Sequence, residues 1–161
     1  MQARQNTRFD SGHRIPTWVR WLLVFTWALF IWSRSLFAGP ESTEQSNFVL
    51  QFVRPVFELV GLTDVSLMSF IVRKCGHFTE YAILGGLLAT TAERGEEPAL
   101  VRAHWLPAAF VALADETIQL FVPGRSGQLS DSALDCAGAL VGFCLVLLVR
   151  RLMARREGRA A

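Results

Sequence analysis

Residues 115–135 constrain this chain most. They concentrate Asp115, Glu116, Asp131, Asp135, Gln119, Gln128 and Arg125 between two runs, 105–114 and 136–149, that contain no Asp, Glu, Lys, Arg or His. Between two soluble helices such a block would be a solvated loop. Between two membrane spans it marks a functional site, because charge at that depth is costly and is kept for a purpose. Composition favours the second setting: 52% of the 161 residues are hydrophobic and only 19% charged, against about 25% charged in an ordinary soluble domain. The length suits one domain. Cys75, Cys136 and Cys144 are odd in number and lack a metal-type spacing; this argues against a disulfide framework and reads as small buried thiols.

Four helical runs follow from the hydrophobic pattern. Residues 1–17 are polar and basic, with Arg4, Arg8 and Arg14, and are expected to form a disordered cytoplasmic arm. Residues 18–37 are apolar enough for a first span, with Arg20 and Arg34 near its ends able to snorkel to the interface. A cleaved signal peptide fits less well, since Leu36 and Ala38 make a poor cleavage site. Residues 38–72 carry Phe48, Val49, Phe52, Val53, Val56, Phe57 and Val60 at spacings of three and four. This predicts an amphipathic interfacial helix broken at Pro55, with Arg73 and Lys74 as a border. Spans at 75–92, 103–122 and 130–150 complete an all-α, four-transmembrane-helix bundle over residues 18–150, followed by a basic cytoplasmic tail, 151–161.

Fifteen of the sixteen cations are arginine, and they crowd the two ends. With four spans, eleven cations fall on the side of the termini and five (Arg34, Arg54, Arg73, Lys74, Arg125) on the other. The positive-inside rule then puts both termini in the cytoplasm. No basic patch interleaved with aromatic residues is present, so nucleic acid is not expected as a partner.

That topology gathers residues which the sequence scatters. His77 and Glu80 begin the second span, Asp115, Glu116 and Gln119 end the third, and Asp131 and Asp135 begin the fourth, all in the extracytoplasmic half. His77, Glu80 and Tyr81 share one helical face, as do Asp115 and Gln119. Asp131, Asp135, Gly138 and Gly142 form a stripe in which two carboxylates precede a Gly-x-x-x-Gly step, where backbones approach closely. A central Asp disfavours insertion by about 2.5–3.5 kcal/mol, so these groups are expected to face one another, water or a ligand.

The run 73–81 (Arg-Lys-Cys-Gly-His-Phe-Thr-Glu-Tyr), the step Asp115-Glu116-x-x-Gln119, the loop 123–127 (Pro-Gly-Arg-Ser-Gly) and the pattern Asp131-x-x-x-Asp135-x-x-Gly138 resemble the VanZ-like family of bacterial membrane proteins. The likeness covers about residues 18–150, and Ser33, Ser35, Ser42 and Ser46 add to it. It implies a small multi-span protein of the cell envelope, whose namesake is associated with low-level resistance to the glycopeptide teicoplanin. No reaction is implied.

Three functions compete for the polar set. As an enzyme, His77, Glu80, Asp115, Glu116 and Asp135 would supply acid and base, with Arg73, Lys74 and Arg125 clamping a phosphate-bearing lipid-linked substrate. As a structural network, Arg73 with Glu80, His77 with Asp115, and Arg125 with Asp131 would neutralise one another. As a binder, Arg73, Lys74, Tyr81, Gln119, Arg125, Ser126 and Asp131 would line an outward-facing pocket for a membrane lipid, a lipid-linked wall precursor or a lipoglycopeptide. The binder fits topology and family best. His77, Glu80, Asp115 and Asp135 are chemically able to hold a metal, but without a second histidine or a fixed ligand spacing none is expected. The sequence identifies no cofactor.

Overall fold

The computed structural model describes residues 15–36, 39–93, 96, 98–124 and 129–160. Apart from short connections these are helical, with no strand among them: α1 (Thr17–Ser35), α2 (Gly39–Leu59), α3 (Val65–Thr91), α4 (Pro98–Ala103), α5 (Leu106–Leu120) and α6 (Leu129–Ala160). The arm and the Arg125–Ser126 loop lie outside the described residues.

Four helices make the bundle and alternate in direction. Side chains of α1 reach α3 in reverse order: Arg20 donates to the Thr90 carbonyl at 2.9 Å, Trp27 Nε1 to the Glu80 carbonyl at 2.9 Å. α5 runs parallel to α1, with Trp32 Nε1 donating to the Val111 carbonyl and Gln119 Nε2 to Ser35 Oγ. α6 runs parallel to α3, since Lys74 meets Asp131 at one end and Arg150 donates to the Ala89 and Ala92 carbonyls at the other. Tyr81, Leu84, Leu88, Ala108, Ala112 and Ala139 are fully buried at the centre.

The α3–α6 contact is the tightest. A Cβ placed on Gly85 would collide with the Ala139 backbone, on Gly142 with the Ala82 backbone and on Gly138 with the Phe78 carbonyl. Two helices therefore touch main chain to main chain over about two turns, a separation only residues without side chains allow.

Several boundaries differ from the sequence reading, each for a local reason. α3 starts at Val65 and not near residue 75, because Asp64 accepts from the Ser66 and Leu67 N–H groups at 2.8 and 3.3 Å and caps the helix. Arg73 and Lys74 are thus interior to a 27-residue helix. α2 continues through Pro55; Gln51, Arg54, Pro55 and Val56 are all exposed, so the backbone group freed by the missing N–H lies on an open turn. α2 ends where Gly61 takes φ 81°, and Leu62 N–H reaches back to the Phe57 carbonyl at 3.0 Å, a glycine-terminated stop. The third run divides at His104–Trp105 into α4 and α5, with a proline in the first turn of α5. The helix of the fourth run continues to Ala160, through the basic residues. Cys75 and Cys144 are exposed, which corrects the buried-thiol expectation for those two, while Cys136 is partly buried against the core.

Around the apolar centre, carboxylates are also buried while large apolar side chains cover much of the outside. Asp115 and Asp135 are 0% and 1% exposed, while Phe110 is 68% and Leu145 58% exposed. Among the described residues, one helix, Ser130–Arg156, is by length and composition able to cross a membrane, with a mean hydropathy of 2.2 over an 18-residue window. α1 is diluted by four tryptophans and two arginines, and α5 has only 15 residues.

Gly142→Val is expected to destabilise the purified protein by about 1–3 kcal/mol or more, since its new methyls would meet backbone that cannot rotate away. Gly76→Ala, with nothing within 4 Å of the added Cβ, is expected to be neutral or to stabilise by up to about 1 kcal/mol. Unfolding followed by circular dichroism compares them.

Candidate functional site

The helix directions carry the polar residues to one end of the bundle. On α3, Lys74, His77 and Tyr81 follow one another at steps of three and four, so they descend a single face toward α6. Lys74 Nζ pairs with Asp131, and His77 Nδ1 lies 3.9 Å from Asp135 Oδ1. On α5, Gln119 Nε2 donates to Asp115 Oδ2 at 3.1 Å, one turn apart, and also reaches Ser35 Oγ on α1 at 3.4 Å. Glu116 is 6% exposed beside them. Ligand-capable atoms of His77, Asp115 and Asp135 lie within 4.8 Å of one another.

One of the expected ion pairs is replaced by another, and His77 and Asp115 are brought close together as expected. Glu80 pairs with Arg34 at 2.7 Å rather than with Arg73. Seven residues of helix separate Arg73 from Glu80 by about 10 Å along the axis, whereas the antiparallel α1 brings Arg34 alongside. Asp131 is taken by Lys74; Arg125, its expected partner, and Ser126 lie outside the described residues. Arg73 lies over the Phe70 ring, 5.9 Å from its centroid. Tyr81 is fully buried.

A cavity of about 730 Å³ opens beside this cluster. One wall comes from α2, where Phe48, Val49, Val53 and Phe57 are apolar; the other comes from α1 and α3, with Arg34, Arg73, His77 and Glu80. Ser35 and Ser46 also border it and are buried. Such a cleft offers hydrocarbon contact on one side and charge on the other. Arg34 carried only a snorkelling role in the sequence reading, although its place near the end of a helix that must return beside Glu80 was the available signal.

A second polar set stands at the opposite end. His104 Nε2 meets Glu96 Oε1 at 2.9 Å, and its Nδ1 meets Thr91 Oγ1 at 2.6 Å. Sequence reasoning missed it, because the three residues fall in different segments with no common spacing. The hydrogen bond with His104, then that from the Glu93 backbone N–H, hold the Glu96 carboxyl below the usual carboxylate range. A depressed carboxyl stabilises the fold above its ordinary value of 4.5 and ceases to do so as pH falls through the lower, folded value. Thermal unfolding between pH 6 and 3 is therefore expected to lose more stability in the parent than in Glu96→Gln, which lacks the titrating group.

A family model described as VanZ/LLP1 matches residues 20–150. No curated protein and no solved structure matches the chain.

Proposed function

Because the chain belongs to the VanZ/LLP1 family, we propose that it is a multi-pass protein of the bacterial cytoplasmic membrane which binds an envelope lipid or a lipid-linked wall precursor in the cleft between α2 and α3. In this reading α1, α3, the α4–α5 unit and α6 are the four spans, and both termini are cytoplasmic. The pattern of exposure supports it: phenylalanines and leucines on the outside suit lipid, and the carboxylates at one end of the interior are shielded from it. The amphipathic α2 lies at the outer interface.

The observation that carries the binding function is the two-sided cleft. A polyprenyl or acyl chain would lie against Phe48, Val53 and Phe57, while its phosphate would meet Arg73 and Arg34 at the polar wall. Guanidinium pairs well with phosphate through charge-assisted hydrogen bonds. A lipoglycopeptide, with an acyl tail and a polar head, presents the same two faces, which is how a teicoplanin-type resistance role would attach to this site.

His77 favours a second reading. It lines the cleft with the buried Asp135 carboxylate behind its ring, an arrangement suited to proton transfer on a phosphate-bearing lipid-linked substrate. Turnover of such a substrate, abolished by His77→Gln while binding persists, would establish the enzyme in place of the binder.

Two measurements test the proposal. Single cysteines at Ser126 and Glu96, in a cysteine-free background on intact cells, are expected to react with an impermeant thiol reagent at 126 and not at 96; the reverse pattern would place the cleft in the cytoplasm. Polyprenyl phosphate binding to the purified protein, read by native mass spectrometry, is expected to weaken about tenfold in Arg73→Ala, equivalent to about 1.4 kcal/mol. Unchanged binding would remove the phosphate from the cleft.

A further inference from the structure

We propose that His77, Asp115 and Asp135 form a divalent-metal site inside the polar end of the bundle. Each residue offers one ligand atom, and the three atoms lie within 4.8 Å of one another. They come from α3, α5 and α6, so the site exists only once the three helices have packed. Their separations along the chain, 38 and 20 residues, make no recognisable metal motif. The lack of a ligand spacing in the sequence therefore does not bear on a site assembled across helices.

The second observation is the state of Asp135. Its side chain is 1% exposed, and neither carboxylate oxygen accepts a hydrogen bond from any described residue. The contact with His77 Nδ1 is 3.9 Å, beyond hydrogen-bonding range. A buried carboxylate without hydrogen bonds is strongly disfavoured, and a buried carboxyl in this position is either neutral or compensated by a cation. The Tyr81 hydroxyl, one turn below His77 and fully buried, likewise has no hydrogen-bond partner among the described residues. Buried polar atoms of this kind call for a partner, and a bound ion between them would supply one.

The donor set selects the ion. The imidazole beside two carboxylates favours a transition-metal ion over Ca²⁺ or Mg²⁺, which prefer oxygen throughout, and the set contains no thiolate for soft ions. Zn²⁺ or Mn²⁺ fits. At metal–ligand distances of about 2.0–2.2 Å, tetrahedral ligands stand about 3.5 Å apart, so binding draws the three side chains together by about 1 Å. Three protein ligands leave a position open, the pattern of a reactive or ligand-exchanging site rather than a closed structural one. His77 belongs both to the cluster and to the cleft wall, so the ion adjoins the cleft and its open position suits a phosphate oxygen. That last step rests on the lipid-binding reading; ion binding itself does not.

The test uses the full chain in detergent, stripped with a chelator, dialysed against Mn²⁺ or Zn²⁺ without added lipid, and assayed for bound metal by mass spectrometry. About one ion per chain is expected, with a nitrogen coupling from His77 in the pulsed electron-spin spectrum of the Mn²⁺ form. Asp135→Asn, Asp115→Asn and His77→Gln should each weaken the ion at least about tenfold while keeping parental helicity. His104→Gln, at the opposite end, should retain it, and so should Arg73→Ala, a variant that impairs lipid binding alone. Substoichiometric metal in the parent, retention of the ion by Asp135→Asn, or its loss in His104→Gln would overturn the site and leave His77, Asp115 and Asp135 as a plain ion-pair network. If one Asp→Asn variant loses helicity, the remaining two variants decide.

Discussion

The backbone contact between α3 and α6 governs the rest of the structure. Gly85, Gly138 and Gly142 leave no room for a Cβ against Ala139, Phe78 and Ala82, so these helices have one register and one separation. That register sets Lys74 opposite Asp131 and His77 opposite Asp135. A slide by one residue would rotate each partner by about 100° and break both pairs. The glycines and the charges therefore depend on each other: close approach makes the ionic contacts possible, and unmatched carboxylates inside the bundle would make any other register unfavourable. Arg150 locks the far end by donating to carbonyls at the α3 terminus, which have no partner within their own helix. Arg20 does the same for Thr90 from the other side.

Much of this was legible in the sequence because it rests on periodicity. The stripe Asp131–Asp135–Gly138–Gly142 and the face shared by His77 and Tyr81 follow from 3.6 residues per turn, and the alternation of the four runs from reading them as successive spans. Partners chosen across helices were less legible. Arg73 and Glu80 have opposite charges and share a face, yet lie two turns apart, and Arg34 reaches Glu80 only because of how α1 packs. The early start of α3 was hidden for a different reason. Asp64 caps a stretch whose apolar character looked interfacial, and Arg73-Lys74 resembled a border when read as charge alone. The cluster of His104, Glu96 and Thr91 offered no period to read.

Charge is also graded along the axis of the bundle. Arg73 and Lys74 stand one turn nearer the end than His77, and Asp131 stands one turn nearer than Asp135. Cations thus occupy the rim, partly exposed, while Asp115, Glu116 and Asp135 lie deeper and buried. In the proposed lipid-binding reading, an anionic head group entering the cleft would meet attraction first at Arg34 and Arg73 and repulsion beyond them, which would hold it at the rim with its chain along α2. A small cation experiences the opposite gradient and is favoured only in the interior, where the carboxylates are. The two proposed ligand chemistries would thus be sorted by depth within one site, with His77 placed between the cleft and the carboxylates.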